Sequence, residues 1–410
     1  METMYRCCVG LDVHKETVEA HIRRMEPDGK LWPQTRRWGT MTGQLEAMAE
    51  WLAGEGVTQV AMESTGVYWK PIYNILEGRF TILLVNARHM KQVPGRKTDV
   101  KDCQWIAQLL QHGLLRGSFV PPRGQRELRE LTRHRTQLVG EKARIANRIH
   151  KTLEDANIKL GSVASDILGV SGRAMLDAVI AGETDEKKVA DLAQRKMRGK
   201  IPELEQALRG RLTEHHRFLL GLLRKELEQQ EGLIAELSQR IEELTRPFAE
   251  ERKRLSEIPG IEQRAAEVLL AEIGPDMKPF PTAKQLSKWS GMCPGNNESA
   301  GKKKSGRTPP GNRWLRQVLV QSAWAASHSK KSYLAAQYRR LAARRGKKRA
   351  LMAVGHSILV ILYHLLKERR QYVDLGAHYL DQLDPQALIR YHVKRLASLG
   401  HTVTLSERPA

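Results

Sequence analysis

Cys7-Cys8-Val9-Gly10-Leu11-Asp12-Val13 is a short apolar run broken by one carboxylate near its end. A run of this length and content reads as a buried strand. Its neighbours extend it into a sheet. Thr17 to Ile22 alternates apolar and polar residues after a tight connection, as the return strand of a hairpin does. A third strand is expected around Gln34–Met41. Gly43–Leu52 has helical spacing, Val57–Met62 is another apolar strand running into Glu63, Tyr68–Leu76 reads as helix and Phe80–Val85 as strand. Between Asp99 and Leu115 the apolar residues Ile106, Leu109, Leu110 and Leu114 recur at helix spacing. Strands first, then strand–helix alternation, suit a mixed sheet with helices on its faces. Residues 1–122 are therefore expected to form an α/β domain.

Pro121-Pro122 marks its end. Residues 125–160 and 203–246 are charged, helical and poor in proline. The second segment carries the series Leu220, Leu223, Leu227, Gln230, Ile234, Leu237, Ile241, Leu244, apolar at every position but Gln230. That heptad pattern predicts a coiled coil or a long helical hairpin. An antiparallel pair with residues 125–160 and a coiled coil between two copies fit it equally. Residues 161–202 read as short intervening helices, so 123–250 forms a helical, coiled-coil region that ends at Pro247. Residues 251–370 read as a second, mostly helical domain. In the tail, 371–410, Gln386–Leu396 is amphipathic. The expected class is α/β plus α.

The chain has 410 residues, 41% of them apolar and 28% charged, which describes a folded protein. Lys and Arg outnumber Asp and Glu by 68 to 46, a net charge of +22. An excess of that size implies a polyanionic partner, and nucleic acid is the commonest, because each neutralised phosphate releases a counterion. A membrane partner is not expected. No basic amphipathic helix carries bulky apolar anchors, and no eighteen-residue apolar stretch is seen. Cys7, Cys8, Cys103 and Cys293 lack zinc-ligand spacing and suit a reducing compartment. The first fifteen residues have no signal-peptide architecture, so a cytoplasmic location is expected.

Two sets of residues carry chemistry. The first is acidic. Asp12 and Glu63 end apolar strands, and Asp99 and Asp102 stand one helical turn apart at the start of a helix. Strand-end carboxylates converge at one edge of an α/β sheet. Gathering four of them there is unfavourable without a cation. Mg²⁺ suits such a site, with Mn²⁺ able to replace it, because it takes oxygen ligands and keeps waters that phosphate oxygens displace. Each acid also has a plain reading: Asp12 as a turn residue, Glu63 as a strand-end surface group, Asp99 as a helix N-cap with Asp102 in the first turn. Three segments in strand–strand–helix order point to a ribonuclease H-like nuclease core.

The second set is basic. Ile258-Pro259-Gly260-Ile261, followed by a helical run, reads as a helix-hairpin-helix, whose Gly260 turn exposes N–H groups for phosphates. A packing turn is the plainer alternative. Next comes a loop, Pro294-Gly295-Asn296-Asn297-Glu298-Ser299-Ala300-Gly301-Lys302-Lys303-Lys304-Ser305-Gly306-Arg307. From Gly301 to Ala350 there are fifteen Lys or Arg and no Asp or Glu. Lys302, Lys303, Lys304, Arg307, Arg313 and Arg316 are the candidate phosphate contacts. Trp314, Trp324, Tyr333 and Tyr338 interleave with these bases, and core packing is their expected role. A serine in such a loop is ordinarily a phosphate donor, and becomes a nucleophile when a metal or base activates it. Spacing alone leaves Ser299 and Ser305 equivalent.

The motifs Gly10-Leu11-Asp12-Val13-His14-Lys15, Met62-Glu63-Ser64-Thr65-Gly66, Lys97-Thr98-Asp99-Val100-Lys101-Asp102, Ile258-Pro259-Gly260-Ile261 and Asn296-Asn297-Glu298-Ser299-Ala300-Gly301 occur in this order. Together they resemble the DEDD transposases of bacterial insertion sequence 110, most closely the 1111 subgroup. The resemblance implies a RuvC-like version of the ribonuclease H fold for the N-terminal domain. It implies Asp12, Glu63, Asp99 and Asp102 as the DEDD set, and Ser299 as the nucleophile, set in a C-terminal transposase domain. It further implies a phosphoserine link to DNA, serine and acids supplied by different subunits of a dimer or tetramer, and double-stranded DNA at element ends and target as substrate. A structured non-coding RNA would pair with both DNAs. Two other readings need less: a hydrolytic nuclease or junction resolvase, and a DNA-binding protein without catalysis.

Overall fold

The computed structural model describes residues 3–86, 102–295, 297–299 and 301–406, with 297–299 and 303–305 described by their backbone. The chain divides into two compact units, Met1–Pro121 and Pro122–Ala410.

The first unit is built on a five-stranded sheet: β1 (Cys7–Val13), β2 (Thr17–Met25), β3 (Leu31–Gly39), β4 (Gln59–Glu63) and β5 (Thr81–Val85), in the order β3-β2-β1-β4-β5. β1, β2 and β3 form an antiparallel meander, and β1, β4 and β5 run parallel. Successive residues of a strand face opposite sides. Val9, Leu11 and Val13 therefore share one face, where they pack with Leu45, Met48, Ala49 and Leu52 of the helix Thr42–Gly54 and with Ile72 and Leu76 of the helix Trp69–Leu76. Cys8 lies on the other face, in a cluster with Ala61, Val85, Trp105, Ile106, Leu109 and Leu110.

That second face is covered by the helix Asp102–Gln111. Its backbone lies so close that a Cβ on Gly10 would stand 2.3 Å from the Cys103 carbonyl oxygen and 2.4 Å from the Ala107 nitrogen. Only glycine permits this approach. The third strand starts at Leu31, earlier than its weak alternation suggested.

In the second unit the helices Arg123–Asp155 and Glu214–Thr245, of 33 and 32 residues, pair antiparallel within the chain. Lys142 bonds Glu231 at 2.6 Å and Arg148 bonds Glu226 at 2.8 Å, so residue numbers fall along one helix as they rise along the other. Leu220, Leu223, Leu227, Ile234 and Ile241 are buried, and Gln230, Leu237 and Leu244 half-buried. The heptad seam is thus filled from its own chain. Each fully buried leucine contributes about 1.5–3 kcal/mol. Thr213 starts the second long helix with a capping box, its Oγ1 accepting from His216 N–H while His216 Nδ1 accepts from the Thr213 N–H. Arg173 and Lys142 hold the Glu231 carboxyl down to about 2. Short helices of residues 160–208 cluster at one end of the pair, where Met175, Leu176, Leu204 and Leu208 pack with Ile149, Leu153 and Leu220.

Beyond residue 248 the unit is helical apart from one hairpin among the described residues, β6 (Asn297–Ser299) and β7 (Lys302–Ser305). No unbroken run of eighteen apolar residues occurs, but the helix Lys347–Glu368 is long and apolar enough to cross a membrane by length and composition, its 18-residue window having a mean hydropathy of 1.6. His356, Ser357 and His364 interrupt the run within that window. Half of it is buried within the unit, through Val354, Ile358, Leu359, Leu362 and Leu366, which is how a core helix behaves.

Glu272, which has no solvent exposure, is a polar anchor of this unit. Arg133 grips it with two bonds of 2.7 and 2.8 Å, Arg129 approaches to 3.5 Å and Asn312 Nδ2 donates at 2.5 Å. Burial drives the Arg129 guanidinium down to about 10 despite the carboxylate beside it. Removing one partner of a buried pair leaves uncompensated charge. Glu272→Ala is expected to destabilise the protein by about 3–5 kcal/mol, seen as a lower urea midpoint with an unchanged slope. A loss under about 1 kcal/mol would mean that the network behaves as an exposed pair.

Candidate active site

The acidic residues are placed by strand register. Cys8 and Gly10 face the helix Asp102–Gln111, so Asp12, two residues further on, faces the same way. Parallel pairing puts Leu11 beside Met62, and one more step puts Asp12 beside Glu63. Glu63 shares its face with Ala61, which belongs to the Cys8 cluster. Asp12 and Glu63 thus sit at adjacent C-terminal strand ends, on one face. The helix runs antiparallel to β1, with Ala107 over Cys8 and Cys103 over Gly10. Its first residue, Asp102, is therefore directed toward the Asp12 end. Asp102 is exposed, while Asp12 and Glu63 are half-buried. His14 Nε2 lies 3.2 Å from Asp12 Oδ2. Asp99 lies outside the described residues.

The register adds an acid that the sequence reading missed. Glu19 is the antiparallel partner of Asp12, and directly opposed residues share a face. The tight His14–Glu16 connection was the available signal, since it fixes the pairing of β1 with β2. Beside Glu19, His21 pairs with Gly10 and is buried. Burial, with Arg23 adding to it, lowers its imidazole to about 4, so it is neutral at physiological pH. Its Nδ1 lies 2.7 Å from Thr35 Oγ1. Oxygen donors therefore dominate this edge, the chemistry that Mg²⁺ takes. Among the described residues no three His, Cys, Asp or Glu side chains come close enough to hold a metal ion.

The basic residues separate by role. Ser299 is the last residue of β6 and pairs with Lys302, the first of β7. Gly301 between them has φ +76°, a left-handed conformation that favours glycine. Ser305, the last residue of β7, pairs with Asn297. The side chains of Ser299, Lys303 and Lys304 lie outside the description. The neck of the loop is closed by Gly295 N–H donating to the Arg307 carbonyl at 3.0 Å. Lys302, Arg307 and Arg313 are exposed. Arg316 points inward instead, donating through Nη2 to the carbonyls of Gly291 at 3.0 Å and Pro309 at 2.8 Å. It braces the loop from behind.

Gly260 also serves packing. It has φ +85°, and a Cβ there would stand 2.2 Å from the Ser322 carbonyl oxygen and 2.7 Å from the Ala326 nitrogen. The turn between the helices Ala249–Ser256 and Gln263–Ile273 is thus seated on the helix Arg313–Ser327. The aromatic residues divide too. Trp314, Tyr333 and Tyr338 are half-buried, but Trp324 is 60% exposed, contrary to the packing role its spacing suggested.

Comparison with known proteins matches two stretches of the chain, the first of which runs beyond the first unit into the helix Arg123–Asp155. A family model for DEDD transposases of the IS110 type, described as "Transposase", matches residues 9–158. A second, described as "Transposase IS116/IS110/IS902 family", matches residues 252–339. A Pseudomonas aeruginosa protein described as "Probable family 20 transposase" is 26% identical over 270 residues, covering 65% of this chain and 70% of that protein. The sheet edge and the hairpin thus belong to a DNA-acting enzyme of the transposase class. Within that class, the chain carries the two transposase domains of the IS110 family.

Proposed function

We propose that this chain cuts and rejoins DNA at the ends of an insertion sequence through a serine nucleophile that works with a carboxylate-bound divalent metal. The observation that carries the reading is the placement of Asp12 and Glu63 side by side at parallel strand ends, beneath the helix that begins at Asp102. The strand order β3-β2-β1-β4-β5 supports a RuvC-like, ribonuclease H-like core. Asp12, Glu63 and Asp102, with Asp99, would hold Mg²⁺ or Mn²⁺. The metal supplies positive charge toward the scissile phosphate and the departing 3′ oxygen.

Ser299 Oγ then forms a bond to phosphorus as the bond from phosphorus to the 3′ oxygen breaks. The serine proton leaves and the freed strand ends in a 3′ hydroxyl. The phosphoserine diester conserves the bond energy, so rejoining needs no ATP. Lys302, Lys303, Lys304, Arg307 and Arg313 hold the DNA backbone, which fixes position without reading sequence. Gly260 and Arg316 support that surface from within. Sequence choice comes from a structured RNA paired with donor and target, as in other guided systems. Serine and acids come from different subunits of a dimer or tetramer. On this reading the chain is of the 1111 subgroup, as the resemblance of its motifs supports, and works in the cytoplasm, where its DNA substrate lies.

The test is a denaturing gel of labelled element-end DNA incubated with protein, Mg²⁺ and the transcribed flanking RNA. A protein-bound labelled species is expected, and chelation of the metal should prevent its formation. Cleavage with freely migrating products alone would favour the hydrolytic nuclease.

A further inference from the structure

The exposed Trp324 is the residue the reading above leaves unexplained. We propose that Trp324 is a stacking platform for one unpaired base of single-stranded DNA, held beside a row of polar and basic contacts on the helix Arg313–Ser327. The proposal rests on DNA being the partner, but not on how the DNA is cut.

Four observations carry it. First, the indole is 60% exposed at the C-terminal end of a 15-residue helix whose other large residues are at least half-buried, apart from Arg313 and two glutamines. Second, the ring is held in place before any ligand arrives. The His328 ring stands 4.5 Å from it, tilted by 58°, and His328 Nδ1 lies 2.8 Å from the Trp324 carbonyl oxygen. Since that oxygen can only accept, Nδ1 carries the proton. Ser327 Oγ donates to the same carbonyl at 2.6 Å. One side of the indole is therefore supported and the rest is open to solvent.

Third, the exposed residues that share this side of the helix are Arg313, Gln317 and Gln321, spaced by four, with Lys330 and Lys331 just past its end. Guanidinium and amide groups donate to phosphates and base edges. An apolar protein partner would meet charge here, and no acid occurs between Gly301 and Ala350 to attract a basic one. Fourth, the Gly260 turn is seated against Ser322 and Ala326, on the buried side of the helix away from Trp324, so the helix is fixed from behind while the indole faces out. Aromatic stacking tolerates any base and requires that the base be unpaired.

The experiment is fluorescence anisotropy of the full chain with a labelled single-stranded DNA, the matching duplex and the matching RNA. W324A is expected to weaken single-strand binding about tenfold or more. W324F should retain most of the affinity, and both variants should bind the duplex as the wild type does. Each should melt with the wild-type midpoint, because the side chain is exposed. Equal weakening on duplex and single strand, or no weakening on either, would overturn the proposal. So would tighter, Trp324-dependent binding of the RNA, or a W324A protein whose sedimentation shows lost self-association. Strand-transfer activity does not enter the measurement, so the failure of the cutting mechanism and the failure of this proposal are separately visible.

Discussion

Replacing Asp12 by alanine is expected to lower strand transfer by at least ~10³-fold, since a positioned charge acting on the transition state is worth that much or more. DNA binding should survive, because affinity for the backbone comes from lysines and arginines that the change leaves alone. Stability should not fall. Asp12 shares its face with Glu63 and Glu19, and removing one of several like charges relieves repulsion. Its contact with the exposed His14 is worth little. The combination is diagnostic: a lost rate, a retained Kd and an unchanged or raised Tm. Asp102→Ala should repeat the lost rate and the retained Kd, because Asp102 leads the helix over the same face, with a somewhat lower Tm because an acid in the first turn stabilises a helix. A D12A protein that still exchanges strands at the normal rate would make the acids a fold feature and return Asp12 to the role of a turn residue.

The N-terminal unit was legible in sequence because its signals are local. A seven-residue run, apolar but for Asp12, makes β1, alternation makes β2, and Ile106, Leu109 and Leu110 at helical spacing make the covering helix. Gly10 is different. As a residue in an apolar run it says nothing, and its meaning appears only when the Cys103 and Ala107 backbone lies over it. The heptad series of Leu220–Leu244 announced a partner without naming it. The ion pairs of Arg148 with Glu226 and Lys142 with Glu231 show that the partner is the same chain. Charge runs conceal direction in the same way. Arg313 and Arg316 look alike in sequence, yet one faces solvent and the other bonds two carbonyls of the adjoining loop. Trp324 and Trp314 differ likewise, because aromatic spacing marks a helix but not which side is covered.

The sharpest remaining choice is between two serines that sequence spacing left equivalent. Ser299→Ala is expected to eliminate the protein–DNA adduct and to reduce strand transfer by at least ~10⁴-fold, as loss of a nucleophile does when no other group can replace it. Ser305→Ala should leave both within a few-fold. The ladder supplies the physical ground. Ser299 pairs with Lys302 at the turn end, next to Gly301, whereas Ser305 pairs with Asn297 at the neck, near the bond that closes Gly295 onto Arg307. A nucleophile must reach phosphorus on a bulky duplex, and the tip of a hairpin meets a duplex before its neck does. A cysteine at position 299 adds a control, since a thiol remains a nucleophile whereas a methyl group does not. If the S299A protein cuts at the wild-type rate and releases free ends, water is the attacking group. The basic hairpin is then a clamp, and the acids form a hydrolytic centre.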